Sequence, residues 1–338
     1  MRYSYSSDQA DFGSSARAVL GKHCTPAEQR RLWGDDTGRS PQLWTAVSEL
    51  GVPSIIISEE QGGFGGSLVD LMPFLEEVGR SAAPDAFLES TVLAPLALAL
   101  TSGGGQRDRW LRSVASGECR ATVRFRSGVP VPDAHVSDLL VLPREGELWL
   151  FERGDVALER VTSQDPSRRL FRVTPHRGAG ERLPYGQRWL PLLRAHELVG
   201  SAAVLNGISE RLLQDTVAYA KEREQFGRVI GSFQGVKHLL ADAVSRVQLA
   251  TTAARAASVQ VSDPEPELSV AELARTVATD AQKTANKVAL QVHGGIGFTF
   301  EHDLQIWLKR GKVLELDHGG RRLVAQRAGL VAALTAKG

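Results

Sequence analysis

Residues 219–234 read YAKEREQFGRVIGSFQ, and their interpretation decides the fold of the chain. They close a long run in which apolar residues recur at helical spacing, which predicts the end of a helix. In the plainer interpretation, Gly227 caps that helix and the two arginines complement its dipole. In the functional one, Arg223 belongs to a cationic site for a pyrophosphate, because a guanidinium can bind phosphate oxygens through two donors. Phe226 could then pack against a flat ring.

A second segment, residues 291–298, reads QVHGGIGF. It predicts at least a turn between helices. The paired glycines Gly294 and Gly295 would also let the backbone approach a ligand closely, and exposed backbone N–H groups suit anionic oxygens. An esterase oxyanion loop is excluded, because the sequence holds no Gly-x-Ser-x-Gly elbow.

Three composition zones indicate an α+β chain that is mostly α. Residues 1–118 carry helical periodicity, with one amphipathic helix ending at Gly79 as a C-cap. Residues 119–190 carry short apolar runs at strand spacing, which predicts a small antiparallel β domain. Residues 191–338 carry long helices with short connections, which predicts a four-helix bundle whose first helix begins near the start of this zone and ends near Gly227. A further helix is expected over 321–334.

Composition excludes several classes of function. Forty Lys and Arg balance thirty-nine Asp and Glu, so nucleic acid is not an expected partner. Cys24 and Cys119 fit neither a disulfide framework nor a zinc site, and the histidines show no metal-ligand spacing. Residues 1–13 lack the apolar core of a secretory signal, so a cytoplasmic protein is expected. The longest apolar run, 92–100, is too short for a bilayer and contains Pro95.

The two segments closely resemble two signatures of the acyl-CoA dehydrogenase family, in the expected order and at the expected distance. The chain is identified as a short, divergent member that resembles one subunit of heteromeric actinobacterial-type enzymes. The resemblance implies a helical N-terminal domain, a middle β domain and a C-terminal four-helix bundle. Shorter matches lie at residues 301–304 (EHDL), 59–63 (EEQGG) and 76–80 (EEVGR).

The resemblance also implies FAD, bound across a subunit interface in a homo- or hetero-oligomer. The ADP half would rest on the signatures of a neighbouring subunit, with Arg223 and Phe226 on the pyrophosphate and adenosine side. The full set of residues carried over as cofactor contacts is Arg223, Gln225, Phe226, Gln234, Gln291, Gly294 and Gly295.

The activity implied is α,β-desaturation of an acyl thioester, the oxidoreductase chemistry of CH–CH groups. In the family a carboxylate removes the α-proton and the β-hydrogen leaves as hydride, while the protein aligns cofactor and substrate. Whether the thioester carrier is CoA or an acyl-carrier protein stays open at this point.

Two departures from the family pattern matter. Residues 119–190 lack the Thr-Glu-Pro turn, the following Gly-Ser and the Trp-Ile-Thr strand that cradle the flavin ring. At the usual place of the base, residues 317–320 read DHGG, so His318 replaces the glutamate. A minority of the family places the glutamate at the start of the long helix, where Glu197 falls. Glu197 could equally be an acidic residue in the first turn of that helix, favourable with its dipole.

The two signatures for the ADP half of FAD are intact, but the sequence that cradles the flavin ring is missing. This division predicts that the chain is one half of a heteromeric enzyme and that the partner chain supplies the base. The first alternative is a self-sufficient homo-oligomeric flavoenzyme that uses Glu197. The second is a flavin-free lyase, cyclase or structural subunit on the same fold.

Overall fold

The N-terminal part is a set of helices whose beginnings are fixed by local sequence. Thr25 and Ser40 each accept a hydrogen bond from a backbone N–H of the turn they precede, and each is followed by a proline. The computed structural model describes residues 4–101, 105–184, 186–263 and 265–317, so His318 and the helix predicted over 321–334 lie outside the described residues. The helices are α1 (Ser7–His23), α2 (Pro26–Trp33), α3 (Pro41–Glu49), α4 (Leu68–Arg80), α5 (Ala94–Thr101) and α6 (Gln106–Ala115).

The middle part forms two small sheets, with strand orders β1-β3-β4-β7 and β2-β6-β5. The β1–β3 pair is parallel, and the other pairs within these sheets are antiparallel. Sequence analysis did not recognise β5, because only its first residue is fully buried and no apolar run marks it. The strands are β1 (Ala121–Val123), β2 (Val131–Pro132), β3 (Leu139–Arg144), β4 (Glu147–Glu152), β5 (Val156–Val161), β6 (Leu170–Pro175) and β7 (Glu181–Arg182).

The C-terminal part is built on one long helix, α7 (Gly186–Glu222), which packs against the two helices that follow it. The predicted bounds of α7 are wrong at both ends. It begins inside the zone predicted for the β domain and includes Pro191, and it ends before Gly227 at a short hairpin. The remaining elements are β8 (Glu224–Gln225), β9 (Arg228–Val229), α8 (Gln234–Val261), α9 (Leu268–His293) and α10 (Leu304–Leu316).

Helices α4 and α7 cross with their backbones almost in contact. A Cβ placed on Gly79 would lie 2.0 Å from the carbonyl oxygen of Val204, and one on Gly207 would lie 1.9 Å from the carbonyl oxygen of Glu76. Only glycine fits at either position. The predicted C-cap role of Gly79 is therefore wrong: α4 continues through Arg80, and Gly79 is a packing residue.

We expect Gly79→Ala and Gly207→Ala each to lower the free energy of unfolding by about 1–3 kcal/mol or more, because the added methyl forces the two helices apart. Gly21 in α1 is the matched control, since a Cβ placed there would have no other atom of the described chain within 4 Å. Gly21→Ala should raise stability by roughly 0.5–1 kcal/mol through helix propensity. Urea unfolding followed by circular dichroism measures all three. Equal effects at the three positions would contradict the close-contact account.

Candidate functional site

The first signature folds into a tight hairpin immediately after α7. Strands β8 and β9 pair through Glu224–Val229 and Gln225–Arg228, with Phe226 and Gly227 at the turn. Their φ angles are 54° and 77°. Positive φ at both central residues defines a type I′ turn, which matches the twist of a two-stranded ribbon. Gly227 is therefore a turn residue, and its predicted role as the helix C-cap is wrong.

The hairpin exposes an aromatic ring at a strained position. Phe226 is 92% exposed, although a bulky residue in the left-handed region is conformationally unfavourable. Its ring meets that of Phe233 edge-on at 6.3 Å, and the Arg228 guanidinium lies 4.0 Å from the same Phe233 ring. The Arg223 side chain is exposed and, within the described part of the chain, has neither an ion-pair nor a hydrogen-bond partner. Arg223 is thus the available cation of the hairpin, while Arg228 is engaged.

The two signatures meet at one groove. Gln225 and Phe226 of the first and Gln291 of the second line an open groove of about 410 Å³. The apolar residues that line the groove were not predicted from the sequence. The signal for them was available, because they are apolar residues in an otherwise polar, exposed segment. These lining residues are Ile230, Phe233, Val236, Leu239 and Val292.

The other predicted contacts lie beside this groove. Gln234 is the exposed first residue of α8, between two lining residues. Gly294 and Gly295 follow α9 directly in a 3₁₀ turn, and the Cβ position of each is open space within the described structure. Their backbone is consequently free to approach a ligand. The groove with its glycine turn can hold a flat ring and a neighbouring anion.

The N-terminal half of α7 carries Glu197. Its predicted place in the first helical turn is wrong, because α7 already begins at Gly186. Glu197 is 4% exposed and forms an ion pair with Arg194 one turn earlier. The helix rises ~1.5 Å per residue, so Glu197 lies roughly 38 Å from Glu222 along the axis. The candidate base, in the N-terminal half of α7, is therefore far from the groove at the C-terminal end of the same helix.

Near Glu197, the N-terminal, middle and C-terminal parts of the chain meet, and we call this place the junction. Charged side chains fill most of it. A cavity of about 60 Å³ remains there, one helical turn from Glu197 at Ser201. Pockets for small ligands usually measure about 300–1,000 Å³, so this one has room for a few waters and not for an acyl thioester. The charged residues that line it are Arg39, Asp85, Glu89, Asp133, Arg168, Arg169, Arg310 and Asp317.

Most of these charges are paired across the parts of the chain. Buried or partly buried ion pairs join the N-terminal part to the middle part, and the middle part to α10 and its C-cap residue. Breaking a buried pair leaves an uncompensated charge at high cost, so the junction resists opening. The pairs are Arg39–Asp133, Arg120–Asp85, Arg124–Glu89, Arg168–Asp317 and Arg310–Asp165.

Arginines also follow β1, within the zone 119–190 that lacks the family's ring-cradling turn and strand. Arg124 is buried and bonds both the Glu89 carboxylate, at 3.2 Å, and the Pro130 carbonyl oxygen, at 3.0 Å. Burial, followed by the like charge of Arg194, lowers the pKa of Arg126. A half-buried cation and a buried ion pair therefore lie side by side in this part of the middle domain.

Two further findings concern the described ranges only. Within residues 4–101, 105–184, 186–263 and 265–317, no three His, Cys, Asp or Glu side chains gather as a metal site. In the same part of the chain, none of the helices combines the length and the apolar character needed to cross a bilayer.

Comparison with known proteins identifies the family. Residues 6–118 match the acyl-CoA dehydrogenase N-terminal domain, and residues 195–323 match the acyl-CoA dehydrogenase C-terminal domain. The chain is 32% identical to acyl-CoA dehydrogenase IpdE2 of Mycobacterium tuberculosis, over 91% of this chain and 90% of that one. It is 35% identical to IpdE2 of Mycolicibacterium smegmatis, over 91% of each. The chain belongs to the acyl-CoA dehydrogenase family.

Solved structures agree with this assignment. The ChsE4-ChsE5 complex from Mycobacterium tuberculosis is 26% identical, with a TM-score of 0.87 over 98% of this chain and 99% of that one. A variant of the Tcur3481-Tcur3483 steroid acyl-CoA dehydrogenase is 24% identical, with a TM-score of 0.88 over the same shares, and shows the same fold. The predicted fold class is confirmed. At the level of the family, so is the expected class of activity, a flavin-dependent oxidoreductase acting on CH–CH groups.

We expect Phe226→Asn to stabilise the chain by about 0.5–2 kcal/mol, because Asn-Gly is the favoured pair for a type I′ turn and the exposed ring makes few contacts to lose. Thermal unfolding of the purified variant measures this. Phe226→Ala is the control, since alanine loses the ring without gaining the asparagine preference for positive φ. A destabilised Phe226→Asn would mean that the ring supports the fold and is not held out for a ligand.

Proposed function

We propose that this chain is the ADP-holding subunit of a heteromeric acyl-CoA dehydrogenase that desaturates an acyl-CoA thioester. Its groove holds the ADP half of an FAD whose flavin ring lies on a partner chain. The partner supplies both the ring cradle and the carboxylate that removes the α-proton. The observation that carries the proposal is the separation of the exposed groove from the charge-filled junction along α7.

The length of α7 supports a shared cofactor. A distance of roughly 38 Å between Glu197 and Glu222 is longer than one extended FAD molecule. An FAD with its ADP half in the groove therefore cannot place its ring beside Glu197 of the same chain. Under this proposal its ring lies on another chain, as the family resemblance implies.

The charges at the junction support a partner chain that differs from this one, and not a second copy of it. In a homo-oligomer, each chain would have to supply a ring cradle to its neighbour, and residues 119–190, which lack the cradle sequence, carry Arg124, paired with Glu89, and Arg126 instead. The cavity of about 60 Å³ at the junction also leaves no room there for the thioester. A partner with an intact middle domain removes both difficulties. The ChsE4-ChsE5 complex, a structural neighbour, is likewise a complex of two different chains.

Each residue at the groove has a task in this proposal. The Arg223 guanidinium would hold a phosphate, and Phe226 would pack against the adenine with Gln225 and Gln291 at the edge of the groove. The open backbone at Gly294 and Gly295 would approach the remaining phosphate oxygens. When bound, FAD supplies the hydride acceptor, and this chain's part is to orient it.

The self-sufficient alternative would use Glu197 as the base. It is the weaker proposal, because a base must have its carboxylate free to meet the α-proton, and the Arg194 ion pair occupies it. The flavin-free alternative leaves the exposure of Phe226 and of the Arg223 guanidinium without an explanation.

We expect the chain expressed alone to retain little FAD, and the chain co-expressed with a longer homologue to retain it. The homologue must carry the Thr-Glu-Pro turn and the glutamate that this chain lacks. The measurement is the flavin-to-protein ratio from absorbance after purification. One tightly held FAD per lone chain, with acyl-CoA oxidation lost in Glu197→Gln, would favour the self-sufficient enzyme. A complex without flavin would favour the flavin-free alternative.

We expect Arg223→Ala to weaken FAD binding to the complex by roughly ten- to a hundred-fold, the equivalent of about 1.5–3 kcal/mol for one charge-assisted hydrogen bond. Arg228→Ala is the matched control on the same hairpin and should have the smaller effect, because its guanidinium is engaged with Phe233. Titration of FAD into the apo-complex, followed by flavin fluorescence, measures both. Equal affinities of the two variants would remove the phosphate-binding role of Arg223.

A further inference from the structure

A stack of aromatic rings joins the end of α7 to the end of α9. Tyr219, in the last turn of α7, lies parallel to His293, the last residue of α9, with ring centroids 4.3 Å apart and an interplanar angle of 19°. His302 meets His293 edge-on at 5.1 Å. His293 is 4% exposed, so the stack is closed to solvent at its centre.

The stack lies between the two segments that line the groove. The Arg223 N–H donates to the Tyr219 carbonyl oxygen at 2.8 Å, which ties the first segment to Tyr219. On the other side, His293 directly precedes the glycine pair and lies two residues after Gln291. A Cβ on Gly297 would lie 3.1 Å from the His293 Cβ, so the glycine turn folds back onto the histidine.

Hydrogen bonds fix the orientation of both imidazoles. His293 Nδ1 donates to the Ala289 carbonyl oxygen at 2.8 Å, because a carbonyl oxygen only accepts. The Leu304 N–H donates to His302 Nδ1 at 3.1 Å, at the start of α10. The Nδ1 atoms of the two rings therefore have opposite roles, and the neutral form of each ring satisfies its bond.

We propose that Tyr219 and His293 are positioning residues for the cofactor: their stacked rings hold the two groove segments at the spacing that ADP requires. The inference rests on the proposed function of the groove. The rings touch the ends of the helices that carry Arg223 and the glycine pair, and they act through those segments. A flat ring at position 219 and an uncharged ring at 293 are what the arrangement requires.

The requirement for an uncharged ring at position 293 makes FAD binding sensitive to low pH. Burial, with His302 nearby, lowers the pKa of His293. The groups that face it are Tyr219 and Asp215 from α7, the latter ion-paired with Arg211, and His302 from the segment before α10. Because the folded pKa lies below the unfolded value of ~6.5, the folded state disfavours protonation, and the support from the stack is lost as the pH falls below ~6.5.

The test compares variants of Tyr219 in the co-expressed complex by FAD titration at neutral pH. Tyr219→Leu keeps an apolar side chain but removes the stacked ring, and should weaken FAD binding roughly two- to ten-fold. Tyr219→Phe restores the ring and should bind FAD within about two-fold of the unchanged complex. Circular dichroism of each complex confirms that the chains are folded.

The pH profile separates positioning from simple packing. In the unchanged complex, FAD affinity should fall only as the pH is lowered below ~6.5, the reference value of histidine, because burial lowers the pKa of His293. His293→Phe keeps a flat ring that cannot be protonated and should lose most of that fall. His302→Asn is the matched control: its side-chain oxygen can still accept from the Leu304 N–H, so the fall should persist.

The outcomes distinguish this inference from the proposed function. If the unchanged complex holds no FAD, both are overturned. If it holds FAD and Tyr219→Leu binds it as tightly, or if Tyr219→Phe fails to rescue, only the positioning role is overturned. If the loss of FAD affinity at low pH is unchanged in His293→Phe, the role of His293 is overturned.

Discussion

The direct backbone contact between α4 and α7 fixes the helix on which everything else depends. Gly79 and Gly207 allow each helix to meet a carbonyl oxygen of the other, so α7 cannot shift or rotate without a steric clash. This fixed helix then contributes to two separate regions of different chemical character. Its N-terminal half enters the junction of the three parts of the chain, and its C-terminal end presents the hairpin and groove. In the proposed function, the rigid separation of these two regions is the physical reason why the FAD is shared between two chains.

Charge is arranged differently at the two ends. At the junction, arginines and carboxylates are buried in pairs, an arrangement that is costly to disturb and that gives little stability compared with an apolar core. At the hairpin, Arg223 is left exposed beside the strained, exposed ring of Phe226. Strain and exposed charge that persist on a surface point to a ligand or partner that uses them. The junction therefore serves the architecture of the chain, whereas the proposed function gives the hairpin a role in recognition.

Sequence alone predicted the helices best where period and length were clear. Helical periodicity predicts helices over 236–261, 268–292 and 304–316, and α8, α9 and α10 match these bounds to within two residues. Gln225, Phe226 and Gln291, taken from the two signatures, line one groove. Errors came where tertiary contact overrides local signals. Gly79 and Gly227 both looked like helix caps, yet one is needed for backbone packing and the other for a type I′ turn. The early start of α7, through Pro191, displaced Glu197 from its expected first turn. The ion pairs of the junction join residues distant in sequence, so no local pattern could predict them.

The most direct test of the shared cofactor is photoaffinity labelling of the assembled complex with an FAD analogue that carries an azide on its adenine ring. Mass spectrometry of the digested complex then identifies the labelled chain. The account predicts a label on this chain, on the peptides that contain Phe226 or Gln291, with the flavin ring of the same molecule held by the partner. A label confined to the partner chain would contradict it.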